Sequence, residues 1–139
     1  MDNLRANQAI FDAWNNHEVE RFVSVLDESV VWESDTLPAP VKGREAAGAT
    51  LQGYYQGFPD LDFEVQRALA SGDFVATQWR SSGTNRGNLL GIAATGRRST
   101  VHGCTVIEFK NGKALHIWDY WDFGTTLRNL GVWPPDTMP

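Results

Sequence analysis

The apolar residues of this chain change period near its midpoint, and that change restricts the fold more than any other feature. Leu61, Phe63 and Val65 alternate with Asp62, Glu64 and Gln66. Side chains point to opposite faces along a strand, so this pattern is a half-buried strand. Ser71-Gly72-Asp73 reads as a hairpin turn into a β-rich run from Phe74 to Ser82. A Gly- and Asn-containing connection, Gly83 to Gly96, leads to another strand from Ser99 to Phe109. Asn111-Gly112 is the sharpest turn signal, since both positions of a tight hairpin need positive φ. Lys113 to Trp121 follows as the last strand.

Upstream the period is helical. The first 28 residues read as helix: Leu4, Ala6, Ile10, Ala13 and Trp14 recur at helical spacing and Asn15-Asn16-His17 interrupts. Val19, Phe22, Val23 and Leu26 restart a second amphipathic stretch, which Asp27-Glu28 closes. Val30 to Glu33 is a short strand and Pro38, Pro40 and Gly43 make a loop. Arg44 to about Gln56 is a third helix despite Gly48 and Gly53, and Pro59 keeps Phe58 out of it. After the last strand, Asp122 reads as the N-cap of a short helix, Thr125 to Leu130, closed by Gly131. Helices followed by hairpin-linked strands is an α+β order. A length of 139 residues suits one domain over 1–139, with its core over about 5–132 and a Pro-containing tail at 133–139.

Composition narrows the function. The chain is 42% apolar with six Trp, enough for a core held without disulfide or metal. Cys104 stands alone, and no C-x-x-C or paired-His spacing suggests zinc. A net charge of −5 argues against a nucleic-acid partner. No apolar run approaches the roughly 20 residues of a membrane span. The start lacks the apolar region of a signal peptide, so the reading is a cytoplasmic protein without a membrane partner.

Chemistry concentrates at Asp119. On a strand from Leu115 to Trp121, the residues Leu115, Ile117, Asp119 and Trp121 share one face. A carboxylate among apolar neighbours is disfavoured in its charged form, which raises its pKa toward that of a working general acid–base. The plainer reading pairs Asp119 with an Arg or Lys. The opposite face carries Ala114, His116, Trp118, Tyr120 and Asp122, a mixed aromatic surface of the kind that forms a homodimer interface. Swapping the faces would instead put His116, Trp118 and Tyr120 in the pocket. Asp122, three residues from Asp119, points away from it.

His102 and His116 each admit two readings: hydrogen-bonded structure, or a group that orients Asp119 or protonates an alkoxide. His17 reads as an exposed turn residue. Trp14, Trp32, Tyr54, Phe58 and Trp79 are pocket-wall candidates, since flat rigid side chains suit a planar ligand. Ser24, Ser81 and Thr105 belong to no nucleophile motif. Asp60 and Asp62 read as turn and solvent residues.

Phe58-Pro59-Asp60, Ala94-Thr95-Gly96-Arg97, Asn111-Gly112-Lys113 with Trp118-Asp119, and Leu130-Gly131 occur in that order over about residues 5–132. In this the chain resembles the SnoaL-like polyketide cyclases. The resemblance implies a cone-shaped α+β barrel, in which a curved antiparallel sheet and three N-terminal helices enclose one pocket. That fold is shared with nuclear transport factor two, ketosteroid isomerases and limonene epoxide hydrolase. It also implies cofactor-free intramolecular aldol closure of an aromatic polyketide ester, with Asp119 at the family's acid–base position and a small apolar or polycyclic substrate.

There are departures. Many members have Gly-Thr-His where this chain has Gly83-Thr84-Asn85. Asn85, Thr105 and Trp121 are further candidates for substrate contact. Some cyclases place a catalytic His in the strand that here reads His102-Gly103-Cys104-Thr105. Isomerase, epoxide hydrolase and hydroxylase chemistry, and a non-catalytic ligand-binding role, stay open on the same scaffold. The hydrolase would need Arg80 and a second Asp to converge with Asp119.

Overall fold

The computed structural model describes residues 2–133. Of the tail expected at 133–139, residues 134–139 lie outside the described residues.

Helix α1 (Asn3–Asn15) starts at Asp2, whose side chain accepts from the Leu4 amide and so satisfies one of the free N–H groups of the first turn. Its buried stripe is Asn7, Ile10, Phe11, Ala13 and Trp14. A short α2 (Val19–Ser24) follows, then strand β1 (Leu26–Ser34), a two-residue β2 (Val41–Lys42) and α3 (Arg44–Gly57). Inside α3, a Cβ on Gly48 would lie 3.0 Å from a Val23 methyl, so this glycine lets α2 and α3 approach closely.

Four long strands complete the sheet: β3 (Asp62–Ser71), β4 (Phe74–Thr84), β5 (Arg98–Lys110) and β6 (Lys113–Trp121), before the closing α4 (Phe123–Asn129). Asn111 and Gly112 both take positive φ, 51° and 74°, as the β5–β6 hairpin requires. Asp122 caps α4, accepting from the amide and hydroxyl of Thr125.

The sheet order is β2-β1-β6-β5-β4-β3. The pairs β3–β4, β4–β5 and β5–β6 are antiparallel, but β1 runs parallel to β6, so the expected all-antiparallel sheet is mixed. The chain leaves β1, crosses through α3 and three hairpin-linked strands, and returns beside β1 in the same direction. Register shifts interrupt β1–β6, β3–β4 and β5–β6. Such bulges bend strands, and here they accompany a curved, unclosed sheet whose concave side is covered by the helices.

Two expectations change here. The second helix ends at Ser24, and Leu26 already belongs to β1, fully buried and paired with Ala114. Leu26 and Val30 are both buried across the irregular stretch of β1, and that four-residue spacing imitates a helix. On β6 the bulge sets Ala114 opposite Phe109 and both are buried, whereas Leu115 is only half-buried. The inner face therefore reads Ala114, Ile117, Asp119 and Trp121.

The turn at Asn15-Asn16-His17 is a clasp. The Asn15 side chain donates to the Phe63 carbonyl at 2.8 Å and accepts from its amide at 2.7 Å, fixing the end of α1 to β3. His17, expected to be exposed, is half-buried; it stacks on Tyr55 at 4.0 Å and its Nε2 lies 2.9 Å from the Leu61 carbonyl.

Candidate functional site

Strand alternation builds the site. The buried positions of β4 are Val75, Thr77, Trp79, Ser81 and Gly83; those of β5 include Ser99, Val101, Thr105 and Ile107. With Ile117, Asp119 and Trp121 they form the concave face. Between that face and helices α1, α3 and α4 lies a cavity of about 70 Å³. Trp14, Trp32, Tyr54, Phe58, Trp79 and Trp121 all line it, along with Leu51, Leu61 and Phe63, which sequence analysis did not single out. Trp14 and Trp32 stack at 6.0 Å and 14°.

Among the described residues Asp119 is the only carboxylate on this lining, and no Lys, Arg or His accompanies it there. Its two oxygens are held separately. Trp32 Nε1–H donates to Oδ2 at 2.6 Å and Thr105 Oγ1–H donates to Oδ1 at 2.6 Å. Trp79 Nε1–H in turn donates to Thr105 Oγ1 at 2.8 Å. An indole N–H can only donate, so Trp79 fills an acceptor site on Thr105 and leaves the threonine proton for Asp119. Each carboxylate oxygen accepts once and keeps a lone pair for a substrate proton.

Gly103 makes this network possible. It pairs with Trp79 across β4–β5, and a Cβ there would lie 2.3 Å from the Trp79 ring. The missing side chain lets the indole lie flat over β5 and reach Thr105.

Burial lifts the Asp119 carboxyl from the ordinary 3.8 to about 6, while the hydrogen bonds from Thr105 and Trp32 pull the other way. The balance follows from chemistry: removing a charge from water costs more than two hydrogen bonds return. Tyr54, whose hydroxyl sits in the same region, is pushed above the usual phenol range by burial and then by the charge on Asp119. Neighbouring charges reach Cys104 too: burial first and Asp119 second raise its thiol.

The other candidates lie elsewhere. His102 is exposed between Val101 and Gly103, on the convex face. His116 is also on that face, where its Nε2 pairs with Glu33 and its ring stacks on Trp118 at 3.7 Å. Neither lines this cavity. Trp118 and Tyr120 line a second pocket, which Asp119 borders together with Glu33 and Asp35. Asn85 is fully buried, but away from the cavity. Its Nδ2 donates to the Gly87 carbonyl and its Oδ1 accepts from the amide and hydroxyl of Thr95, tying the base of the 86–96 connection. Thr105 touches Asp119 and does not line the cavity. Asp60 is more than a turn residue: it accepts from the Thr84 amide and hydroxyl and pairs with Arg98 at 3.5 Å. Arg80 pairs with Glu64 at 2.6 Å on the surface, so the Asp-Arg-Asp set of a hydrolase does not assemble at Asp119.

The family model described as SnoaL-like polyketide cyclase matches residues 4–130. The chain belongs to the SnoaL-like polyketide cyclase family. No curated protein sequence matches it significantly. Among solved structures it is similar to AclR, a candidate hydroxylase from Streptomyces galilaeus: 25% identity over 95% of this chain and 86% of that one, TM-score 0.82. It is also similar to IdmH, a candidate polyketide cyclase from Streptomyces antibioticus, with 24% identity over 95% and 100% of the two chains and TM-score 0.81. An LEH-like epoxide hydrolase from M. tuberculosis shares 22% identity over 92% and 88% of the two chains, with TM-score 0.71. These structures share the cone fold while their described activities differ, so the fold leaves the reaction to the site itself, and the support for an enzyme-like role is the family match. Among the described residues no helix is long and apolar enough to cross a membrane.

Proposed function

We propose that this SnoaL-like chain is a cofactor-independent acid–base enzyme that closes a ring by intramolecular aldol addition, with Asp119 moving the proton. The observation that carries this reading is a carboxylate with no cation beside it on the cavity lining among the described residues, held by Trp32 and Thr105 with its pKa lifted to about 6. A buried Asp with a purely structural role is ordinarily paired with a cation, and a pure assembly module would have no cavity.

In the proposed step, Asp119 removes a proton from a carbon flanked by an ester and an aromatic ketone, giving an enolate and a neutral carboxylic acid. The enolate carbon attacks a ketone carbon of the same molecule, and the C=O π pair becomes an alkoxide. The alkoxide takes the proton back from Asp119, so the product has the mass of the substrate and the carboxylate is regenerated. A pKa near neutrality serves both halves, since the group must accept a proton and release it again. Holding the two carbons together supplies several kcal/mol of the barrier.

The test is turnover of a panel of anthraquinone-type β-keto methyl esters by wild type and Asp119→Asn, followed by mass-resolved chromatography. A new retention time at unchanged mass with wild type, lost in the variant, supports cyclisation. Equal conversion by both proteins contradicts it, and a gain of oxygen or water moves the assignment to hydroxylase or hydrolase chemistry.

The convex face supports a homodimer. Phe74 and Tyr120 are exposed there, and Phe74 stacks on Trp118 at 6.3 Å. An aromatic face of this kind is suited to a second copy.

A further inference from the structure

The polar residues on the otherwise apolar lining are Tyr54, Ser81, Ser82, Ser99, Asp119 and Thr126. The Ser82 hydroxyl bonds Thr100 and the Thr126 hydroxyl donates to the Asp122 carbonyl, which leaves a pair of serines, Ser81 and Ser99, on neighbouring strands. Ser81 is 6% exposed and Ser99 5%, so both are buried polar residues on the cavity lining. Ser81 makes no side-chain hydrogen bond among the described residues. Ser99 Oγ accepts from Asn129 Nδ2 at 3.1 Å, which leaves its own proton to donate. Ser81 pairs with Val101 and Gly83 with Ser99, so the two serines are diagonal neighbours on one face, about 7 Å apart.

A hydroxyl on the cavity lining with no bond to the protein is free to pair with whatever occupies the cavity. Mutual pairing does not occur here, and Asn129 serves Ser99 from outside the cavity. Register places the pair far from the acid–base group. Thr77, Thr105 and Asp119 lie on one rung of the sheet, and Ser81 lies four residues further along β4. At about 3.3 Å per residue that is about 13 Å along the strands. A cavity of about 70 Å³ that touches both ends is a narrow slot.

We infer that Ser81, supported by Ser99, forms a second polar subsite that binds an oxygen at the far end of the substrate. The inference rests on the acid–base reading of Asp119 for the near end. The ligand class follows from the lining. It is elongated and apolar, thin enough for the slot, with a reacting carbon at Asp119 and a carbonyl or hydroxyl oxygen at its distal edge. That oxygen is neutral, because among the described residues no cation lines the cavity to offset a carboxylate or phosphate. Ser81 is a specificity residue in this scheme and takes no part in proton transfer.

Two neutral rod-shaped probes test it by calorimetric titration at pH 7: 4-phenylphenol, with one hydroxyl, and 4,4′-dihydroxybiphenyl, with a hydroxyl at each end. One hydrogen bond, net of desolvation, should make the second compound bind wild type about fivefold tighter. Ser81→Ala should abolish that advantage and leave the affinity for 4-phenylphenol unchanged. Ser81→Cys, which keeps the bulk but donates weakly, should do the same. The inference is overturned if the two probes bind wild type equally, if neither binds, or if the advantage survives both substitutions. Asp119→Asn in the same titration separates the two ends. If it changes neither affinity while Ser81→Ala still removes the distal gain, the near-end reading fails and the Ser81 subsite stands.

Discussion

Replacing Asp119 with Asn should stabilise the protein at neutral pH and leave it unchanged at acid pH. The wild-type carboxyl sits at about 6 in the fold against 3.8 ordinarily. Between those values the folded state holds a proton that the unfolded chain has released. Wild-type stability is therefore complete below 3.8, declines as pH rises through the window, and is lowest above about 6. A shift of about two units corresponds to roughly 3 kcal/mol. Asn carries no charge to desolvate, and the existing partners accommodate it. Its oxygen can accept from Trp32 Nε1–H, and its amide can donate to Thr105 Oγ1, which has a second lone pair beside the one Trp79 fills. Urea unfolding from pH 3.5 to 8 measures the effect. The difference between variant and wild type should be near zero at pH 3.5 and grow through pH 4–6. It should level off at roughly 3 kcal/mol, a midpoint shift of roughly 1–2 M for ordinary urea slopes. Taking the difference cancels every other titrating group. A pH-independent difference, or a variant less stable at pH 8 than wild type, would refute the reasoning.

Four further outcomes follow from particular contacts. Thr105→Val deletes the Oδ1 donor, so the Asp119 pKa should rise further above 6, and the unpaired Trp79 N–H should cost roughly 1–3 kcal/mol, both readable by carboxyl NMR and urea unfolding. Gly103→Ala drives a methyl into the Trp79 ring; it should destabilise by roughly 1–3 kcal/mol and alter the near-ultraviolet circular dichroism of the cavity tryptophans. Asn15→Ala removes both hydrogen bonds to Phe63 and should cost roughly 1–3 kcal/mol in thermal or urea unfolding while leaving the Asp119 titration in place. Tyr120→Arg puts a charge on the exposed aromatic face and should halve the mass seen by sedimentation equilibrium; an unchanged mass would place the dimer contact elsewhere or remove it.

The sequence made visible whatever depends on local period. Leu61, Phe63 and Val65 marked β3, Asn111-Gly112 marked the β5–β6 hairpin, and the step-two spacing of Ile117, Asp119 and Trp121 set the carboxylate among apolar neighbours. What stayed hidden depends on pairing between distant segments. The start of β1 was masked by a bulge that gives Leu26 and Val30 helical spacing. The parallel β1–β6 contact has no local signature, because it is made between segments more than 80 residues apart. Asn85 was a candidate for substrate contact, yet its side chain is spent on Gly87 and Thr95. Gly103 matters only through the ring of Trp79 on the neighbouring strand. Ser81 continues the Val75, Thr77, Trp79 alternation, and that period was the available signal for a serine facing inward.

The most direct test of the account is the ionisation of Asp119 itself. Protein labelled with ¹³C at the aspartate carboxyl carbons can be titrated by NMR from pH 3 to 8, with Asp119→Asn assigning the resonance. The Asp119 carboxyl should titrate near pH 6, and its resonance should disappear in the variant. An Asp119 resonance already ionised at pH 4 would mean a solvated or cation-paired carboxylate, and would contradict its role as the proton-transferring group.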